Sequence, residues 1–219
     1  VTASSRPLTE WFATLEWTLA PLRGAKPAPV DGEAALVLTD EAGTGVPVAD
    51  ELRKRGYSVV TATLGGSEAP FLKLSPTEYR LNPGSKQDYE QLVEQLTADQ
   101  LLPTRVVHTG GILGAAERAG PRIAAFRLAQ ERGFFSLQFL LRALGKPESS
   151  HELVVTAVTS NTRLVDGDRE VFPDASTMGG PVKVANREFP HLQCKTLDIS
   201  LASAPSKPMW TPPLPSVRR

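Results

Sequence analysis

Residues 34–63 read AALVLTDEAGTGVPVADELRKRGYSVVTAT, and this stretch decides the fold. Its first six residues, 34–39, form a short apolar run of the kind that fills a strand buried on both faces of a parallel sheet. A turn follows at 40–45. Val48, Ala49 and Leu52 then recur at helical spacing and predict a helix over 46–55, with basic residues in its last turn and Gly56 as its stop. Residues 57–63 (YSVVTAT) are the next strand. Strand, helix and strand in so short a span make a βαβ unit, which commits the sheet to parallel pairing.

The same alternation extends outward. Residues 71–74 read as a short strand before a proline-containing loop. Ser85 and Asp88 have the spacing of a capping box, ahead of a helix whose apolar face is Tyr89, Leu92, Val93 and Leu96. Residues 105–109 (RVVHT) are a strand. A long helical segment over 123–144 carries Phe126, Phe134, Leu137, Leu141 and Leu144, with Gly133 as a bend and Gly145 and Pro147 as its end. Residues 152–158 (ELVVTAV) and 193–199 are strands, with a helix over 175–187 between them. Upstream, the alternation of Leu15, Trp17 and Leu19 predicts a strand closed by Pro21, followed by a loop at 23–32. Residues 202–219 hold five prolines and no periodicity, a linker or tail. The sum is an α/β, Rossmann-like domain over 1–201, with helices flanking a mostly parallel sheet.

With 219 residues, 41% of them hydrophobic, the chain can build a core without cross-links. Lys plus Arg and Asp plus Glu balance at 24 each, which speaks against a nucleic-acid footprint and an anionic membrane as partners. Cys194 is the single cysteine, so no internal disulfide forms and a reducing, cytoplasmic setting is expected. The first residues lack a signal-peptide core. No apolar run approaches the roughly 20 residues that span a bilayer.

A Rossmann-like sheet invites a search for a phosphate-binding turn. Gly43-Thr44-Gly45 is one candidate, but Val48 stands where the third glycine belongs, and Asp40 and Glu41 bring carboxylates to the pyrophosphate's place. A structural tight turn is the better reading. The second candidate is Thr109-Gly110-Gly111-Ile112-Leu113-Gly114-Ala115-Ala116, similar to the TGxxxGxG turn of short-chain reductases. Thr109, Gly110, Gly111 and Gly114 are therefore the candidate cofactor-binding residues. The turn holds no basic residue and is followed by Glu117, so a surface loop is the favoured alternative.

Reductases of that type donate a proton from a tyrosine four residues before a lysine. Here Tyr57, Tyr79 and Tyr89 are followed at that spacing by Thr61, Pro83 and Val93. No catalytic residue is assigned. His108, His151 and His191 lie far apart without ligand spacing, so no metal site is expected. His108, at a strand end, reads as a hydrogen-bonded structural histidine, and Cys194 as a buried small hydrophobe.

Together these residues resemble the structural, non-catalytic subdomain of a ketoreductase from a modular type I polyketide synthase. The resemblance runs from about Trp11 to Leu201. It is carried by Leu15-Glu16-Trp17, 36–45 (LVLTDEAGTG), 52–56 (LRKRG) and 105–108 (RVVH). It continues through 133–137 (GFFSL), 140–145 (LLRALG) and 173–199 (PDASTMGGPVKVANREFPHLQCKTLDI). The last stretch matches a helix, a glutamate-aromatic-proline turn and a strand ending at Asp198. The glycine-rich 110–120 stands where the family carries a tryptophan-containing turn, and Trp210 has no counterpart there. The resemblance implies a truncated short-chain-reductase-like fold that binds no cofactor itself. It implies as partner a catalytic ketoreductase subdomain that holds NADPH and reduces a β-ketoacyl chain on an acyl carrier protein, beside neighbouring synthase domains. The tail from Ala202 is then a connector. Two other readings stand beside it: a nucleotide-binding enzyme using Thr109 to Ala116, and a decayed half kept only as an interaction module.

Overall fold

Strand β1 (Ala34–Asp40) is buried at every position, as its unbroken apolar run requires of a central parallel strand. The structure, a computed structural model, describes residues 32–40, 42–66, 70–146, 152–163 and 171–201, with Thr18, Ala20 and Val165. The strand expected around Trp17, the tail from Ala202, and His151 lie outside the described residues.

Helix α1 (Val46–Lys54) returns the chain to β2 (Ser58–Leu64), which pairs parallel with β1. Arg53 and Lys54 sit in the last turn of α1, and Gly56 beyond it adopts a φ of 94°, where a side chain would strain the backbone. A hairpin follows, β3 (Leu72–Ser75) and β4 (Glu78–Leu81), whose second strand pairs parallel with β2. The expected loop after Leu74 is therefore a turn at Pro76–Thr77 leading into a strand. Only Tyr79 and Leu81 of β4 face the core, too short a pattern to stand out from the sequence.

Helix α2 (Lys86–Ala98) buries Tyr89, Leu92 and Leu96 as its spacing predicts. The expected capping box takes another form: the Ser85 hydroxyl donates to the Asp88 carboxylate at 2.5 Å instead of accepting a backbone amide. Asp88 in turn accepts the Asn82 amide at 2.9 Å, tying the end of β4 to the helix start.

Strand β5 (Arg105–Gly111) lies on the other side of β1, and a short α3 (Ala115–Ala119) follows it. The long helix expected over 123–144 is α4 (Arg122–Ala129), a π-helical turn (Gln130–Phe135) and α5 (Ser136–Leu144). Gly133 lies in the π turn. Strand β6 (Leu153–Ser160), a 3₁₀ turn (Pro173–Met178), α6 (Gly179–Glu188) and β7 (Leu192–Ile199) complete the described chain.

The strand order is β3-β4-β2-β1-β5-β6-β7, parallel except for the β3–β4 hairpin. Between β1 and β5 the order reverses, and the carboxyl ends of those strands form the crevice where doubly wound sheets take ligands. The two faces are unequal. On one, Leu36, Leu38, Val60, Ala62, Val106 and Val155 pack under α2, α5 and α6 in the main core. On the other, Ala35, Val37 and Val59 meet α1 through Ala49 and Leu52 in a much smaller cluster.

Candidate functional site

Both glycine-containing turns singled out in the sequence fall at the reversal point, one after β1 and one at the end of β5. In the first, Asp40 folds back over the turn. Its carboxylate accepts the Thr44 amide at 2.9 Å and the Thr44 hydroxyl at 2.8 Å. The Gly45 amide donates to the Thr39 hydroxyl at 2.8 Å, and those of Gly43 and Val46 donate to Asp40 and Gly43 carbonyls. Every amide from 43 to 46 is thus already bonded inside the turn. Gly43 has a φ of 76°, the conformation such a turn demands.

At the second position the structure corrects the expected surface loop. Thr109, Gly110 and Gly111 are the last residues of β5 and are buried. The Thr109 hydroxyl donates to the Leu38 carbonyl at 2.8 Å, stitching β5 to β1. A Cβ on Gly110 would stand 2.1 Å from the Arg132 carbonyl oxygen of the π turn. One on Gly111 would meet the Met178 sulfur at 2.5 Å and the Val158 carbonyl oxygen at 2.7 Å. These glycines let another element approach the sheet. Gly114 begins α3, where its amide donates to the Glu117 carboxylate at 2.7 Å. Glu117 also holds Arg132 at 2.7 Å. At both turns, then, a carboxylate of the chain itself occupies backbone amides that a phosphate would use.

His108 is fully buried beside this site. Its Nδ1 accepts the Gly110 amide at 3.3 Å, which leaves the proton on Nε2, 2.8 Å from the Ser136 hydroxyl. Ser136 also accepts the Tyr89 hydroxyl at 2.6 Å, closing a buried chain Tyr89–Ser136–His108 between α2, α5 and β5. Burial lowers the His108 pKa from 6.5 to about 4 and raises that of Tyr89, so both are neutral over the physiological range. The sequence marks of this network are a serine on the apolar face of α5 and a histidine within an apolar strand.

The other tyrosines are also engaged. Tyr57 accepts Arg105 Nε at 3.0 Å. Tyr79 donates to Asp99 at 3.3 Å, and Lys73, paired with Asp99, sits over its ring at 5.7 Å. A tyrosine and a lysine do meet there, but burial outweighs the lysine and raises the Tyr79 pKa, the wrong direction for a proton donor near neutrality. Cys194 is buried, which pushes its thiol up to about 11, and its backbone is clasped by the Asn186 side chain at 2.6 and 2.8 Å. His191 lies against the Leu144 carbonyl at 3.4 Å, remote from His108. Among the described residues no three His, Cys, Asp or Glu side chains converge as metal ligands, and no helix is long and apolar enough to cross a membrane.

A mostly parallel sheet of this order, with helices on both faces, is a Rossmann-like α/β fold. The chain belongs to the family described as beta-ketoacyl synthase-like, N-terminal, whose model matches residues 48–209. Among solved structures it resembles a keto acid-selecting NRPS module comprising adenylation, ketoreductase and pseudo Asub domains. That likeness has a TM-score of 0.72 at 24% identity, over 88% of this chain and 15% of that one. An N-terminal ketoreductase from the macrolactin assembly line matches with a TM-score of 0.64 at 17% identity, over 81% of this chain and 34% of that one. A short-chain dehydrogenase/reductase from Brucella ovis, in complex with a partially ordered NAD, gives 0.51 at 18% identity, covering 77% and 82%. At these identities the likeness is one of fold, and the mostly parallel, Rossmann-like architecture expected from the sequence is borne out. The chain spans only a minor part of the first two. No curated protein matches it.

Proposed function

We propose that this chain is the non-catalytic scaffold half of a polyketide-synthase ketoreductase. In this reading a separate catalytic half carries NADPH and reduces a β-ketoacyl group on an acyl carrier protein, in the cytoplasm. The observation that carries the reading is the turn after β1, where all amides from 43 to 46 are bonded within the turn, with Asp40 holding Thr44. A pyrophosphate arriving there would meet a carboxylate instead of free N–H groups. The packed glycines Gly110 and Gly111 and the Glu117-capped Gly114 support it, because the residues offered for a cofactor are committed to the fold. The three tyrosine hydroxyls support it too, each being bonded within the domain.

Calorimetric titration with NADPH tests the reading. The chain alone is expected to give no binding heat, and mixing it with a catalytic ketoreductase half is expected to restore or raise reduction of a β-ketoacyl thioester. Binding by the isolated chain overturns the reading in favour of a nucleotide-binding enzyme. No effect on the catalytic half points instead to an interaction module.

A further inference from the structure

Strands β6 and β7 run parallel and in register as far as Ser160 and Ile199, and their bonding does not stop there. The Asn161 amide donates to the Ile199 carbonyl at 3.0 Å, the next bond of a parallel pair. The bond after it would join the Leu201 amide to the Asn161 carbonyl. Asn161, however, takes a φ of 50°, a left-handed conformation that asparagine adopts more readily than most residues. Its carbonyl instead accepts the Phe172 amide at 2.6 Å. The side chain fills the place so left: Oδ1 accepts the Leu201 amide at 3.0 Å, and Nδ2 donates to the Ser200 hydroxyl at 3.3 Å. The carboxamide of Asn161 thus stands in for a peptide group and carries the pairing one step beyond both strands.

Asp198, on β7, returns the grip. Its carboxylate accepts the Thr159 hydroxyl at 2.8 Å and the Thr162 and Arg163 amides at 3.1 Å. Asn161 and Thr162 are buried although they lie past the end of a strand. Chain that leaves a domain is loose unless it is tied down, and the bonds gathered on 198–201 tie it down. The sequence beyond, 202–219, holds five prolines. Proline-rich chain is stiff over several residues, so a direction set at Leu201 carries outward.

We propose that Asn161 is the positioning residue of the chain's exit: its side chain fixes the direction in which residues 202–219 leave the sheet, and its carbonyl couples that direction to Phe172. Phe172 in turn lies under Arg118 of α3, whose guanidinium stands 4.6 Å from the ring centre. The exit is thereby referenced to the segment that follows β5 at the crevice. A segment aimed in this way presents whatever it is joined to in one orientation instead of many. The proposal is independent of the scaffold reading.

Amide exchange followed by NMR and spin-label distances, both on the full chain, are the test. Asn161→Gly keeps the left-handed backbone and removes both side-chain bonds. Its Leu201 amide is expected to exchange roughly tenfold faster, the effect of one lost hydrogen bond, while Val155 and Ala157 within β6 exchange as in the wild type. Asn161→Asp keeps the acceptor and is expected to restore slow exchange at Leu201. With labels at Glu94→Cys on α2 and Ser206→Cys beyond the exit, the distance distribution should be narrow with Asn161 present and broaden in Asn161→Gly. The native Cys194 is buried and stays unlabelled. Exchange at Leu201 that is indifferent to Asn161→Gly overturns the proposal, as do glycine and aspartate variants that behave alike. Faster exchange at every amide together overturns it too, since Asn161 would then only support the fold, and so does a distance distribution equally broad in both backgrounds. None of these outcomes alters the NADPH titration, so the two readings fail separately.

Discussion

The ends of β1 and β5 lie side by side at the same crevice, both carry glycines, and they use them for opposite purposes. After β1 the glycines let the backbone curl: Gly43 takes a positive φ, and the turn closes on Asp40 in a partly exposed setting. At the end of β5 the backbone stays extended, and Gly110 and Gly111 are absent side chains that admit Arg132 and Met178 to the sheet. One end is shaped by local hydrogen bonds, the other by packing from residues more than twenty positions away. A glycine run is thus no indication of a ligand until its neighbours in space are known.

Three measurements sharpen or break this contrast. Gly110→Ala should have the largest effect, since its Cβ would stand 2.1 Å from a backbone oxygen that cannot swing aside. A loss of about 4 kcal/mol in urea unfolding, or failure to fold, is expected. A loss below about 1 kcal/mol would mean the π turn is not tightly seated on β5.

Acid comes next. The His108 pKa falls from 6.5 to about 4 on folding, so the unfolded chain binds this proton first. Its contribution is therefore fully present above pH 6.5 and declines as pH falls toward 4, by about 3 kcal/mol in all. Urea midpoints should drop between these limits, and His108→Gln should flatten the slope. An unchanged slope in that variant would assign the effect elsewhere.

Asp40→Ala should have the smallest effect, about 1 to 2 kcal/mol, because the freed Thr44 amide and hydroxyl can find water. A loss as large as that of Gly110→Ala would make the β1 turn as integral to packing as the β5 end.

What could be read from the sequence follows the same division. The βαβ unit, the Gly56 stop and the stripe of α2 are local patterns, and their physics lies within a few residues. Strand β4 escaped because two inward residues, Tyr79 and Leu81, carry no period. Gly110 and Gly111 read as loop because nothing local distinguishes a glycine that turns from one that yields space. The Tyr89–Ser136–His108 chain joins residues 47 and 28 positions apart, a separation no spacing rule spans.

The π turn at Gln130–Phe135 has a genetic consequence. It holds about one residue more per turn than the helix around it, so it absorbs an extra residue without shifting the angular phase of α5 relative to α4. Deleting a single codon there would convert it to ordinary helix and leave α5 in nearly the same phase. Leu137, Leu140, Leu141 and Leu144 would keep facing the core, while the bulge that lays the Arg132 carbonyl on Gly110 would be lost. The loss of one codon is thus better tolerated at this point of the gene than within α4 or α5.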